Sequence, residues 1–138
     1  MKQPIGYLLK QITDKIKTSA DASFKEKNLT LAQVRVLEYV MSKGGTTTQK
    51  SIEDYLEVSH PTVVGIVSRM EKNGYLICHM DKEDKRNKIV EATGQAVLIS
   101  HELEEGKAAQ EEKLIKGLTK EEAAKLYQML CVIRKNVE

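Results

Sequence analysis

Tryptophan is absent from this 138-residue chain, and aromatic residues of all kinds make up only 4% of it. Any core must therefore rest on Leu, Ile, Val, Met and Ala. Cysteine is scarce. Cys78 and Cys131 are the two present, too few for a disulfide framework. No apolar run approaches the length needed to span a bilayer. The first residues, MKQPIGYLLKQITDKIK, lack the apolar centre and small-residue cleavage site of a secretory signal. A cytoplasmic location, away from any membrane, is the expectation. An excess of charge is missing too: 22 Lys and Arg face 20 Asp and Glu. Residues 30–92 carry no net charge, residues 1–29 carry +3 and residues 93–138 carry −1. Nucleic-acid binding would therefore depend on local placement of charge, because no segment is strongly basic.

What is present is helical periodicity. From about Pro4 to Lys27, Ile5, Leu8, Leu9, Ile12, Ile16, Ala20 and Phe24 recur at three-and-four spacing. Thr30 and Gln33 form a candidate capping box for a second helix, with Leu29 and Val34 as its staple. That helix should turn Leu31, Val34, Leu37 and Val40 or Met41 inward and stop at Gly44-Gly45. Thr46-Thr47-Thr48 is β-prone and ends in a cap for a third helix, whose inner face reads as Ile52, Tyr55 and Leu56.

The stretch from Thr47 to Glu91 carries the functional signal. A fourth helix opens Ser59-His60-Pro61-Thr62, with Ser59 as N-cap and Pro61 in the first turn, where a missing N–H costs nothing. Val58 and Val63 read as a staple pair. Val63, Ile66, Val67 and Met70 share one side of the helix; Pro61, Thr62, Gly65, Ser68, Arg69 and Lys72 project from the other. Asn73-Gly74 ends it. Two β-prone segments follow, Tyr75–Met80 and Lys88–Glu91. The loop between them carries Lys82, Lys85 and Arg86, with Lys88 just beyond, against Glu83 and Asp84. Helix, turn, helix, wing is the order of a device that places one helix in a major groove and a basic loop beside it. Thr93-Gly94 begins a long fifth helix, to about Lys116, and Thr119 with Glu122 caps a sixth. Its stripe is Ala123, Leu126, Tyr127, Leu130, Ile133 and Val137.

The expected fold is mainly α: a winged helix-turn-helix with a two-stranded wing, plus N- and C-terminal helices. One domain over 1–138 would comprise a DNA-binding lobe at about 30–92 and a dimerisation lobe from about 1–29 and 93–138. Long apolar stripes at both chain ends predict a two-fold homodimer. The expected DNA-facing residues are Ser59, His60, Pro61, Thr62, Val64, Gly65, Ser68, Arg69 and Lys72 on the fourth helix. Thr48, Gln49 and Lys50 at the start of the third helix join them, as do Asp84, Lys85, Arg86 and Lys88 in the wing.

These segments resemble the MarR family of bacterial winged-helix transcription regulators. The resemblance is carried by LTLAQVRVLEYV, TQKSIEDYLEVSHPTVVGIVSRMEKNGYL, DKEDKRNKIVEATGQ and GLTKEEAAKLYQMLCVI. Asp84-Lys85-Arg86-Asn87-Lys88 matches the family's Asp-x-Arg-x-Lys wing pattern, and Thr93-Gly94 follows at the family's spacing. By position, Ser59, Pro61, Thr62, Ser68 and Arg69 match the recognition helix. The resemblance implies that Arg86 enters a minor groove and that Asp84 helps to hold the wing. It also implies a dimeric repressor of a palindromic operator on double-stranded DNA. Relief would come from a small effector lodged between the DNA-binding lobe and the dimer helices. Two positions depart from the pattern. Val64 stands where Thr is common, and Ala92 stands where Leu usually precedes the threonine.

No phosphate loop, nucleophile elbow or catalytic triad is visible, so no enzyme activity and no cofactor are expected. Cys78, His79 and Asp81 could ligate a metal, but CxxC and HxxxH spacings are absent; a buried strand thiol beside a solvated imidazole is the simpler reading. Two rival functions are a metal-responsive regulator and a winged-helix protein-interaction module without DNA binding.

Overall fold

The computed structural model describes residues 2–138. The elements run α1 (Ile5–Glu26), α2 (Leu31–Ser42), β1 (Thr46–Thr48), α3 (Gln49–Leu56), α4 (His60–Lys72), β2 (Leu76–Met80), β3 (Lys88–Ala92), α5 (Gly94–Leu114) and α6 (Lys120–Asn136). Residues through Ser100 form one compact unit and His101–Glu138 a second.

The core of the first unit is aliphatic, as a chain without tryptophan requires. Val34, Val36, Leu37 and Val40 of α2 are buried with Ile52 and Leu56 of α3 and Val63, Val67 and Met70 of α4. Tyr75, Leu76 and Val90 extend that core to the sheet. Each fully buried side chain of this kind contributes about 1.5–3 kcal/mol through apolar surface removed from water. Two expectations fail here. Leu31 lies exposed at the first position of α2, and Val36 is buried in its place. Tyr55, expected on the inner face of α3, is half exposed; its ring stacks on Tyr39 of α2 at 4.4 Å between centroids. The short α3 has room on its buried side for Ile52 and Leu56, and the larger ring finds a flat partner on the α2 surface.

The two-stranded wing forms as expected, and β1 joins it to make a three-stranded sheet. The order is β1-β3-β2, antiparallel throughout. Thr46, Thr47 and Thr48 pair with Glu91, Val90 and Ile89. The wing's return strand therefore lies at the centre of the sheet, tied to the chain just ahead of α3.

Local signals act where they were read. Thr30 and Gln33 close a capping box on α2. Thr48 caps α3 by accepting from the Ser51 N–H at 3.1 Å. Glu57, at φ 56°, turns the chain between α3 and α4 in the left-handed region. Ser59 caps α4 with Pro61 in the first turn. Gly74, at φ +87°, ends the turn after α4, and its carbonyl accepts the Thr93 hydroxyl proton at 2.6 Å. Thr93 thus ties the start of α5 to the end of α4, and its oxygen accepts the Ala96 N–H at 3.2 Å.

In the second unit, Gly117, at φ +93°, turns the chain, and Thr119 with Glu122 closes a second capping box. No residue of α6 is buried in the single chain; Ala123, Leu126, Cys131 and Ile133 are half-buried. In the first unit, α1 likewise buries none of its residues. Among the described residues, no helix is long and apolar enough to cross a membrane.

Candidate nucleic-acid interface

The helix α4 divides its residues as the wheel predicts. Val63, Val67 and Met70 are buried, which fixes the roll of the helix. Ser59, His60, Pro61, Thr62, Gly65, Ser68, Arg69 and Lys72 are all exposed on the remaining surface. Val64 is half-buried at the boundary, so at most part of its side chain is presented outward. The hydroxyls of Ser59 and Thr62 lie 2.8 Å apart and bond to each other.

The wing is shaped by its own aspartates. Asp81 accepts the Glu83 N–H at 3.0 Å, and Asp84 accepts the Arg86 N–H at 3.1 Å, two turns of the kind short carboxylates impose on a backbone. Asp84 also receives the Arg86 guanidinium through two bonds, 3.0 Å from Nε to Oδ1 and 3.2 Å from the terminal nitrogen to Oδ2. That guanidinium, and after it the Arg86 backbone N–H, hold the Asp84 carboxyl below the usual carboxylate range. The Arg86 side chain is 90% exposed. Lys85 is exposed beside it and Lys88 is half-buried at the start of β3.

Between wing and helices lies an open cleft of about 340 Å³. Gln49, Lys50 and Glu53 of α3 form one wall, His60 of α4 another, and Arg86, Asn87 and Lys88 the third. Here one sequence expectation is corrected. Gln49 is only 7% exposed, and its Oε1 is buried without a hydrogen-bond partner, so it is not a freely projecting contact. It follows directly on a strand, and that junction turns it inward. Thr48 is half-buried, its hydroxyl spent on capping, while Lys50 is exposed and pairs with Asp54 at 3.3 Å.

Glu53 was missed. It lies seven residues from His60, across a turn whose left-handed residue is not a glycine, and its Oε1 bonds the His60 Nδ1. No periodicity marks such a pair. Cys78 is half-buried in β2, its N–H donating to Glu71 Oε2 at 2.9 Å. Burial first, then the Glu71 carboxylate, push its thiol up to about 11. Such a thiol is a poor nucleophile and a poor metal ligand. Among the described residues, no group of three metal-capable side chains comes together.

A family model described as MarR family matches residues 27–87. An uncharacterized helix-turn-helix-type transcriptional regulator of Bacillus subtilis, YwoH, is 34% identical over 99 residues, covering 67% of this chain and 71% of that protein. The crystal structure of MepR, a transcription regulator of the Staphylococcus aureus multidrug efflux pump MepA, superposes with a TM-score of 0.87 at 20% identity, covering 99% of this chain and 100% of that one. MepR in complex with DNA gives a TM-score of 0.83 at 22% identity, over 96% and 99%. At these identities the structural likeness speaks for the fold; the sequence match to YwoH and the family model speak for descent. The chain belongs to the MarR family of winged-helix transcription regulators.

Proposed function

We propose that this chain is a sequence-specific DNA-binding regulator that works as a homodimer and represses a palindromic operator until a small molecule relieves it. The observation that carries the reading is the outer face of α4: eight small, polar or basic residues stand exposed over a buried Val63-Val67-Met70 stripe. Small residues such as Gly65 and Ser68 let a helix approach base edges closely, while Arg69 and Lys72 supply charge at the groove wall. Arg86, at the end of an aspartate-shaped loop, suits a narrow minor groove, where negative potential is strongest. That MepR has been solved on DNA agrees with this use of the shared fold.

The domain organisation we propose is a winged-helix lobe at about residues 30–92, with both chain ends devoted to dimerisation. Two apolar surfaces support this, one on each unit. In the single chain α1 exposes Ile5, Tyr7, Leu8 and Ile12, and α6 exposes Tyr127, Met129, Leu130 and Val132, with Val137 exposed just beyond it. Large apolar side chains gathered in water on one helix mark an interaction surface more often than a bare monomer. A two-fold dimer presents two recognition helices to two half-sites. An effector would act by favouring a separation of those helices that does not match the groove.

The test is a salt titration on random duplex DNA followed by selection of bound sequences from a random library. A DNA-binding regulator should bind at low salt, weaken steeply as salt rises, and select a pseudo-palindrome. Absence of binding at low salt would favour the rival reading, a winged-helix protein-interaction module, for which the zero net charge of residues 30–92 speaks.

A further inference from the structure

His60 occupies the first position of α4, its side chain 68% exposed, and its Nδ1 is held by Glu53 Oε1. Glu53, on α3, is 11% exposed. An ionised carboxylate has lone pairs and no proton to give, so the Nδ1 that meets it must carry the hydrogen. The second ring nitrogen, Nε2, is then the one that changes. In the neutral ring it is a bare acceptor, which a phosphate oxygen repels. In the protonated ring it is a charged donor, which a phosphate oxygen attracts.

We propose that Glu53 is a positioning residue that makes His60 a proton-dependent contact to the DNA backbone, so that operator affinity rises as pH falls. The inference rests on the DNA-binding reading above. It singles out His60 because the cleft's other charged groups belong to classes whose charge does not change near neutrality. Those groups are Lys50 of α3, paired with Asp54; Arg86 of the wing, paired with Asp84; and Lys88 at the start of β3. The helix α2 and strand β2, which also pack on α4, contribute no group to the cleft. Glu53 orients the ring with Nε2 free, as a carboxylate behind a ligating histidine does at metal sites.

The experiment measures affinity for operator duplex between pH 6 and pH 8 at constant ionic strength, for wild type, His60→Gln, Glu53→Gln and a His79→Gln control. One linked proton weakens binding by up to about tenfold per pH unit as pH rises. Wild type and His79→Gln should show this loss. His60→Gln should be flat, and Glu53→Gln, whose amide holds the ring in either orientation, should show a smaller loss than wild type. A flat wild-type profile, or a His60→Gln profile that keeps the wild-type slope, overturns the proposal. Failure of wild type to bind DNA at any pH overturns the DNA-binding reading and this inference with it. Imidazole nitrogen NMR of the free protein separates the two. A His60 ring protonated at Nε2 rather than Nδ1 in its neutral form refutes the positioning role whatever the DNA result.

Discussion

Arg86 shows how much a single residue can do at the tip of a loop. Without DNA its guanidinium lies on Asp84. On the proposed reading, a minor groove has to outcompete a carboxylate for it. Arg86→Ala should weaken operator binding and reduce the log–log salt slope by about one, leaving helix content unchanged in circular dichroism. Asp84→Asn should loosen the turn that Asp84 imposes on the Arg86 N–H, visible as faster amide exchange at Arg86. The pH dependence has a definite sign. The folded Asp84 carboxyl is held below its ordinary range, so the clasp is complete above about pH 4 and is lost as acid carries the pH down through the depressed value. Cys78 runs the other way: its thiol is raised, so at pH 8 it should alkylate more slowly than free cysteine, and Glu71→Gln should accelerate it. Much at this scale was legible. The Asp84-to-Lys88 motif and the projecting residues of α4 follow from sequence, because motif and helical period are local. The burial of Gln49 and the Glu53–His60 bond were not, because both depend on how α3 leaves β1 and how Glu57 turns the chain.

At the scale of elements, the sequence announces starts and stops better than partners. The capping boxes at Thr30 and Thr119 lie within four residues, and both form as read. Replacing either threonine with Ala should cost about 1 kcal/mol, measured by urea denaturation. The threonine run 46–48 is plainly β-prone, yet its partner lies more than forty residues on at Ile89–Glu91. That pairing is tertiary, so the two wing strands are legible from sequence while their union with the threonine run is not. Gly74 is a sharper case. A Cβ there would meet Gln95 Oε1 at 2.9 Å, in a backbone conformation that L-residues avoid. The side-chain oxygen can swing away; the backbone cannot. Gly74→Ala should destabilise by about 1–2 kcal/mol and disturb the Thr93 tie between α4 and α5.

For the whole molecule the governing fact is what the single chain leaves uncovered. Both terminal helices read as amphipathic from their spacing, and both keep large apolar side chains in water. Sequence shows a stripe but not what covers it. Light scattering should give twice the 15.6 kDa of the chain at micromolar concentration. The double substitution Leu8→Glu and Ile12→Glu should shift it to monomer. Because two half-sites are then no longer linked, operator affinity should fall by more than tenfold even though α4 and the wing are untouched.

The central position of β3 has a mechanical consequence. Its backbone is bonded on both sides, to β1 and to β2, while β1 and β2 each keep one open edge. The wing is therefore a cantilever, rooted along β3 in the strand that leads into α3 and paired with no strand at residues 82–87. Force applied at the tip, by a groove that is too wide or too narrow, is carried down β3 to β1 and so to the start of α3, before it reaches α4. In hydrogen exchange the β3 amides should be the slowest of the sheet and those of residues 82–86 the fastest. DNA that seats the wing should slow exchange at β1 as well, although β1 lies at the far edge of the sheet.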